Sequence, residues 1–337
     1  MPCAAADGAS RCVAAGASEL HIPDGFLNLP VSLLCWLVAL PLIWLALRRS
    51  SGDLGERQIP LMGVMAAFIF AAQMINFPVV GGTSGHLLGG ALAAITLGPW
   101  AAMLVMTAVI GVQALLFQDG GLVVLGANVL NMGLLTTSLG YGLYRVVAGQ
   151  SLGRRLAVAG VAAWLSVMAG ALATSIQLWL SSSAQLAIVL PAMLGVHALI
   201  GIGEALITVA ALSFIVRARP DLLAGADAPA RGGRGWIVAG LGVALATVLI
   251  APLASSDPDG LETVAKNLGF SILAADLPFA VLPSYTIPFL GESGLSTILA
   301  GAIGAAVVAA IGFGLARLRR PAPPADLAPQ HPDGVLR

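Results

Sequence analysis

The apolar residues of this chain fall neither into helical stripes nor into strand-like alternation. They form long unbroken runs, separated by short polar or Gly/Pro breaks, at about residues 30–47, 58–78, 86–97, 98–118, 122–147, 156–182, 186–216, 235–254 and 293–316. A run of about 18 or more apolar residues is long enough to cross roughly 30 Å of hydrocarbon. Backbone in lipid must satisfy its own hydrogen bonds, so the pattern predicts an all-α integral membrane protein. Two runs need argument. Leu97-Gly-Pro99 is a helix stop and restart, which divides 86–118 into two short spans. The run 186–216 is too long for one ordinary crossing, and Pro191 is expected to break it, its start lying at the interface or re-entering. The reading is a seven-span bundle over 20–217, a linker over 218–234, and a two-span hairpin over 235–320 with an outside loop at 255–292. Residues 321–337, rich in Pro, read as a disordered cytoplasmic tail that contains His331.

Arginine placement tests that count. Arg48, Arg49 and Arg57 follow the first run, and Arg145, Arg154 and Arg155 the fifth. Arg217, Arg219, Arg231 and Arg234 follow the seventh; Arg317, Arg319 and Arg320 follow the ninth. All follow odd-numbered spans and so share one side, which the positive-inside rule makes cytoplasmic. The N-terminus is then outside and the C-terminus inside, in a multi-pass protein of the bacterial inner membrane.

Composition narrows the function. With 58% hydrophobic and 9% charged residues the chain is not a soluble domain, and its formal net charge of +0 removes the electrostatic case for nucleic acid. Gly 41 favours close helix packing in lipid. Cys3, Cys12 and Cys35 have no ligand spacing. The sole lysine, Lys266, stands outside any phosphate-binding Gly-rich motif, so ATP is not bound here and no enzyme activity is expected.

Histidine carries the chemistry. His21 opens His21-Ile-Pro-Asp-Gly-Phe-Leu27 just before the first apolar run, and His86 closes Gly81-Gly-Thr-Ser-Gly-His86 before another. Histidine at membrane depth is by default a functional residue. The Gly-rich stretch lets backbone approach a ligand, and as a loop leading into a short helix it also suggests anion binding. The other polar positions inside the runs are Gln73, Asn76, Gln113, Asn128, Asn131, Gln177, His197 and Glu204. Gln113 and Gln177 read as interhelical hydrogen-bond partners. Asn128 and Asn131, three apart, share a helix face, as do His197 and Glu204, seven apart. For these pairs a packing network and a shell around a metal stand at even weight. Glu204 needs a partner in lipid, and an ion pair with His197 is the expectation. Asn76 and Ser84, beside His86, complete the shell or gating candidates.

These residues stand in blocks that resemble the CbiM/NikM family, the substrate-capture membrane component of energy-coupling factor (ECF) cobalt/nickel transporters. The blocks are His21–Leu27, Ala72-Gln-Met-Ile-Asn-Phe-Pro78, Gly81–Gly90, Leu97-Gly-Pro-Trp100, Gln113–Phe117, Asp119-Gly-Gly121, Gly126-Ala-Asn-Val-Leu-Asn-Met132 and His197–Glu204. In the hairpin, Pro258-Asp-Gly-Leu-Glu262 and Val264–Phe270 are similar to the PDGLE module of these transporters. The resemblance implies one Ni²⁺ or Co²⁺, as transported substrate, held near the outer surface by nitrogens: the chain's amino group, the amide and imidazole of a histidine at position two (His21), and a loop histidine (His86). An amine, a deprotonated amide and an imidazole form fused planar chelate rings, a square-planar nitrogen geometry suited to Ni²⁺ or Cu²⁺. The implied partners are an ECF coupling subunit of the CbiQ/NikQ kind and ATPase subunits of the CbiO/NikO kind.

Here twenty residues precede His21, and residues 1–19 lack the basic-then-apolar order of a signal peptide. An amine that far away cannot close the chelate. The expectation is a translation start at Leu20 or trimming between Glu19 and Leu20; failing both, the site is built from the imidazoles of His21, His86 and His197. A stand-alone secondary transporter or channel is the alternative, for which only the His197–Glu204 face supplies ionisable groups along a path. A scaffold without substrate leaves His21 and His86 unexplained. Asp257-Pro-Asp-Gly260 reads as a turn and N-cap starting a short helix, in a loop expected to cover or gate the metal-access face.

Overall fold

The computed structural model describes residues 21–53, 58–219, 235–275 and 277–318. Residues 1–20, with the expected start at Leu20, and the greater part of the 218–234 linker lie outside the described residues, as does the tail with His331.

The apolar runs are helices. They are α1 (Leu29–Asp53), α2 (Gln58–Gln73), α3 (Gly90–Leu97), α4 (Pro99–Val112), α5 (Leu125–Asn128), α6 (Thr136–Tyr144), α7 (Leu152–Leu180), α8 (Leu186–Ala218) and α9 (Gly235–Ile250), followed by α10 (Gly260–Leu268) and α11 (Gly294–Leu318). Among the described residues, six helical stretches are long and apolar enough to cross a membrane: Leu29–Ser50, Pro99–Phe117, Leu152–Leu180, Leu186–Ala218, Gly235–Leu253 and Gly294–Arg317. α2 is shorter, and a π-helical turn at Val129–Leu135 joins α5 to α6 in a continuous rod.

The expected break at Gly98 is present. Gly98 has φ 77°, a left-handed value that glycine tolerates, and Pro99 opens α4 where its missing N–H costs nothing. The run 86–97, however, is not helical from His86. Its first four residues are irregular, with Gly89 left-handed at φ 81°, and α3 starts at Gly90 with every residue buried. This segment runs back alongside α2. The Leu88 carbonyl accepts from Gln73 Nε2, Gly89 lies against Ile69, and Leu92 lines a cavity with Leu61 and Met65.

The break expected at Pro191 is absent. α8 is one uninterrupted helix of 33 residues, about 50 Å long at 1.5 Å per residue. Pro191 stands in its second turn, where the cost to the backbone ladder is confined to the helix start. Arginine and aromatic residues pair near helix ends. Arg49 lies over Trp100 at the start of α4, Arg155 donates to the Tyr144 hydroxyl, and Arg219 lies over Trp236 at the start of α9.

The opposite helix ends carry the remaining structure. A two-stranded antiparallel hairpin, β1 (Phe77–Val79) and β2 (Thr83–Gly85), pairs Phe77 with Gly85. The Gly-rich stretch is therefore a strand turn; Gly81 and Gly82 have nothing within 4 Å of a built Cβ, and no helix begins there. The anion-binding expectation loses its helix N-terminus. The loop between α9 and α11 starts as foreseen: Asp259 caps α10 by accepting from Glu262 N at 2.7 Å.

Candidate metal centre

Three elements bring His21 and His86 together. The first is the His21 segment, which lies across the loop before α5. Asn128 grips both backbone groups of one residue: Asn128 Oδ1 accepts from Ile22 N and Nδ2 donates to the Ile22 carbonyl, each at 3.0 Å. The same carbonyl accepts from Gly121 N. Asp24 accepts from the N–H groups of Leu122, Val123 and Val124 at 2.9–3.1 Å, satisfying donors that the start of α5 leaves open. Gly120 has φ +97°, and a Cβ there would stand 2.7 Å from His21 Cβ, so only glycine lets the two segments meet.

The second element is the irregular stretch after β2. Glu204, fully buried on α8, accepts from Leu88 N at 2.6 Å and from Gly89 N at 2.9 Å. With Gln73 on the Leu88 carbonyl, side chains from two helices satisfy backbone that has no ladder of its own. The ion pair expected between His197 and Glu204 is not formed. Seven residues on a helix are about 10.5 Å apart along its axis, and each group finds backbone instead: His197 Nδ1 bonds to the Met193 carbonyl at 2.8 Å.

The third element is the loop between α9 and α11, which touches both arms. Ser84 N and Thr83 Oγ1 donate to the Pro258 carbonyl, and Ser84 Oγ donates to the Asp257 carbonyl at 2.8 Å. Ala275 N donates to the Asp24 carbonyl on the other side. The Asn76 carbonyl accepts from Ser255 N. Asn76 and Ser84 therefore serve the docking of this loop.

At the junction the His21 and His86 ring centroids are 5.9 Å apart, and both side chains are buried. A cavity of about 70 Å³ opens beside them, its lining including Asn128, Asn131, His197 and Asp259. Asn131 is nonetheless committed to packing, since it exchanges two hydrogen bonds with Gln177 at 2.7 and 2.8 Å and donates to Thr174 Oγ1. Gln177 joins helices as expected, and Asn128 is the member of the asparagine pair that holds a histidine arm. Among the described residues no cluster of three or more His, Cys, Asp or Glu side chains is arranged to hold a metal. The all-imidazole site, the fallback expectation, thus has no ready-made counterpart.

His21 itself is poised by Asp119. Nδ1 meets Asp119 Oδ1 at 2.8 Å, while Nε2 is buried without a protein partner. Burial alone would raise the Asp119 carboxyl, but the His21 charge and hydrogen bond, with a bond from Tyr285, hold it below the usual carboxylate value. An ionised Asp119 accepts a hydrogen bond from Nδ1–H, and in the neutral imidazole that tautomer carries its lone pair on Nε2. This differs from the fused chelate, which needs Nδ1 because only that nitrogen closes a six-membered ring with its own amide. Asp259, beside the cavity, is pushed up to about 7, first by burial and further by Glu262 and Asp119, against the Glu262 N–H and His21, which lower it.

Sequence reasoning did not single out Asp24, Asp119 or Tyr285. Asp24 and Asp119 lie in the His21–Leu27 and Asp119–Gly121 blocks, and an acid followed by glycine at the edge of an apolar run was the available signal. Tyr285 lay in the loop with no signal at all.

The fold and site define a multi-span helical membrane protein with a buried imidazole pair at one end, beneath the loop between α9 and α11. The comparisons agree. Residues 21–222 match the CbiM family, described as the cobalt uptake substrate-specific transmembrane region, and residues 234–321 match the PDGLE domain. The putative fused nickel transport protein NikMN of Archaeoglobus fulgidus is 38% identical over 306 residues, covering 90% of this chain and 100% of the relative. The fused nickel transport protein NikMN of Rhodobacter capsulatus is 31% identical, covering 88% and 96%. A crystal structure described as a truncated transition metal transporter matches 59% of this chain and 99% of its own, at 32% identity and a TM-score of 0.54. The chain belongs to the CbiM family, with a PDGLE domain fused at its C-terminal side.

Proposed function

We propose that the chain captures Ni²⁺ or Co²⁺ as the substrate-binding subunit of an ECF-type importer and delivers it inward. The observation that carries the reading is the meeting of His21 and His86, from segments sixty-odd residues apart, at one buried cavity. Nickel and cobalt are named in the relatives' descriptions, and imidazole nitrogens suit both ions. In a chain that begins at Leu20, by translation start or trimming, the amino group and the His21 amide complete the set. Closing the fused chelate then requires the imidazole to exchange Asp119 for the ion at Nδ1, after which Nε2–H becomes the proton available to Asp119.

The membrane reading is seven spans followed by a two-span hairpin. The irregular residues 86–89 plus α3, whose eight residues rise about 12 Å, act together as the third crossing. That count keeps the arginine-bearing ends on one side, cytoplasmic by the positive-inside rule, and leaves the histidine cavity outside. ATP hydrolysis belongs to CbiO/NikO-like partners coupled through a CbiQ/NikQ-like subunit.

The test is metal content of the purified full chain after nickel or cobalt loading. His86→Ala should lose stoichiometric metal while still inserting and purifying as a folded protein; retention at the wild-type level overturns the site. Uptake into cells with and without the coupling and ATPase subunits separates an importer subunit from a stand-alone transporter.

A further inference from the structure

The loop between α9 and α11 does more than lie over the cavity. Its residues 279–285 are docked on the C-terminal end of α4, where the helix changes to a π-helical turn at Gln113–Phe117. Leu282 N donates to the Leu116 carbonyl at 2.8 Å, and Gln118 Nε2 donates to the Phe279 carbonyl. The ring of Tyr285 stacks on Phe117 with centroids 4.6 Å apart and an interplanar angle of 18°, and also approaches Phe70. This docking delivers one hydroxyl to one carboxylate. Tyr285 Oη donates to Asp119 Oδ2 at 2.7 Å and accepts from Gln113 Nε2 at 3.3 Å. The other oxygen of Asp119 holds His21.

Two features argue that the arrangement is more than surface packing. Ser284 and Tyr285 both have left-handed φ, 52° and 58°, a conformation costing non-glycine residues roughly 1–2 kcal/mol each. Such backbone persists only when surrounding contacts over-determine it, and here the constraint ends at the metal-facing histidine. Burial and the neighbouring Asp119 charge also push the Tyr285 phenol well above its ordinary value, so the hydroxyl keeps its proton and remains a donor.

Resting on the site reading above, we propose that Tyr285 of the C-terminal hairpin is a positioning residue for metal capture, acting through Asp119 on His21. The chain Gln113, Tyr285, Asp119, His21 leaves the carboxylate one orientation, and that orientation sets the imidazole. A carboxylate partner of a ligating histidine is typically worth about 10–100-fold in metal affinity. The PDGLE hairpin thereby contributes to the binding site itself.

The experiment measures nickel affinity of the purified full chain as wild type, Tyr285→Phe, Asp119→Asn, the double variant and His86→Ala, with the thermal midpoint of each. Tyr285→Phe keeps the ring stack, and the expected result is about a 10-fold loss of affinity with the midpoint little changed. Because Tyr285 acts through Asp119, the double variant should bind no more weakly than Asp119→Asn alone. Gln113→Ala, which removes only the donor to Tyr285, should give a smaller loss in the same direction. Wild-type affinity in Tyr285→Phe, or a loss that adds fully to that of Asp119→Asn, overturns the proposal. If His86→Ala also retains nickel, the site reading has failed; if it loses nickel while Tyr285→Phe does not, only the role of Tyr285 has failed.

Discussion

The two histidines reach the cavity on backbones of the same kind, irregular and outside any helix, yet they are held by different elements. The His21 arm is clasped by short polar side chains, Asn128 on both backbone groups of Ile22 and Asp24 on three N–H groups ahead of α5. The His86 arm enters the bundle, where Glu204 and Gln73 take both polar groups of Leu88. Both arms are out of water, with His21 2% and His86 7% exposed. Of the bonds that clasp them, only that from Val123 N to Asp24 is exposed and can be replaced by solvent, whereas the buried Ile22 and Gly89 amides have no other acceptor. His21 is further tied to Asp119 and, through it, to the loop.

This comparison breaks most severely at Glu204. Glu204→Ala leaves two buried N–H groups unpaired, at about 1–3 kcal/mol each. The thermal midpoint of the detergent-purified protein should fall further than for any other single change proposed here, with metal binding lost alongside. A wild-type midpoint would mean that the carboxylate does not hold the strand. Asn128→Ala removes both bonds to Ile22, but the Ile22 carbonyl keeps its bond from Gly121 N, so one buried group, the Ile22 N–H, is left unpaired instead of two. Metal affinity should drop about 10-fold while the midpoint moves by less than in Glu204→Ala; the reverse order would invert the comparison.

Smaller effects probe the loop. Ser84→Ala removes one bond to the Asp257 carbonyl, a net contribution of about 0.5–1.5 kcal/mol. It should speed proteolysis or hydrogen exchange within residues 255–275 and leave metal affinity near wild type. Asp259 adds a pH dependence. Its folded value of about 7 exceeds an unfolded value near 3.9, so the folded state binds the extra proton. Its contribution to stability is therefore greatest at low pH, falls as pH rises between about 4 and 7, and is constant above. Asp259→Asn keeps an N-cap acceptor for Glu262 N and should flatten that part of the stability–pH curve; an unchanged slope would assign it to other groups.

Much of this was legible in the chain. Long apolar runs dictate helices because lipid leaves the backbone no other partner, and Gly98-Pro99 stops one helix and starts the next through local backbone preferences alone. His21 and His86 stood out because imidazole next to hydrocarbon is costly without a use. Asp259 as a helix cap is likewise a short-range matter, decided within four residues. Other features depend on partners far along the chain. Periodicity put His197 and Glu204 on one face, but only the fold supplied the Leu88 and Gly89 amides that Glu204 accepts from. The helical pattern of 86–97 gave way to irregular backbone because Glu204 and Gln73 stand ready to satisfy it. Pro191 did not break α8, since a proline near a helix start costs the ladder little.

What the sequence by itself determined is the class of the protein and its helices, because hydropathy and local chemistry act over a few residues. Only the tertiary structure decided which groups orient the histidines. Asp119, Tyr285 and Gln113 become a relay only when α4, the His21 arm and a loop more than 160 residues away converge, and a hydrogen bond between distant residues leaves no periodicity behind.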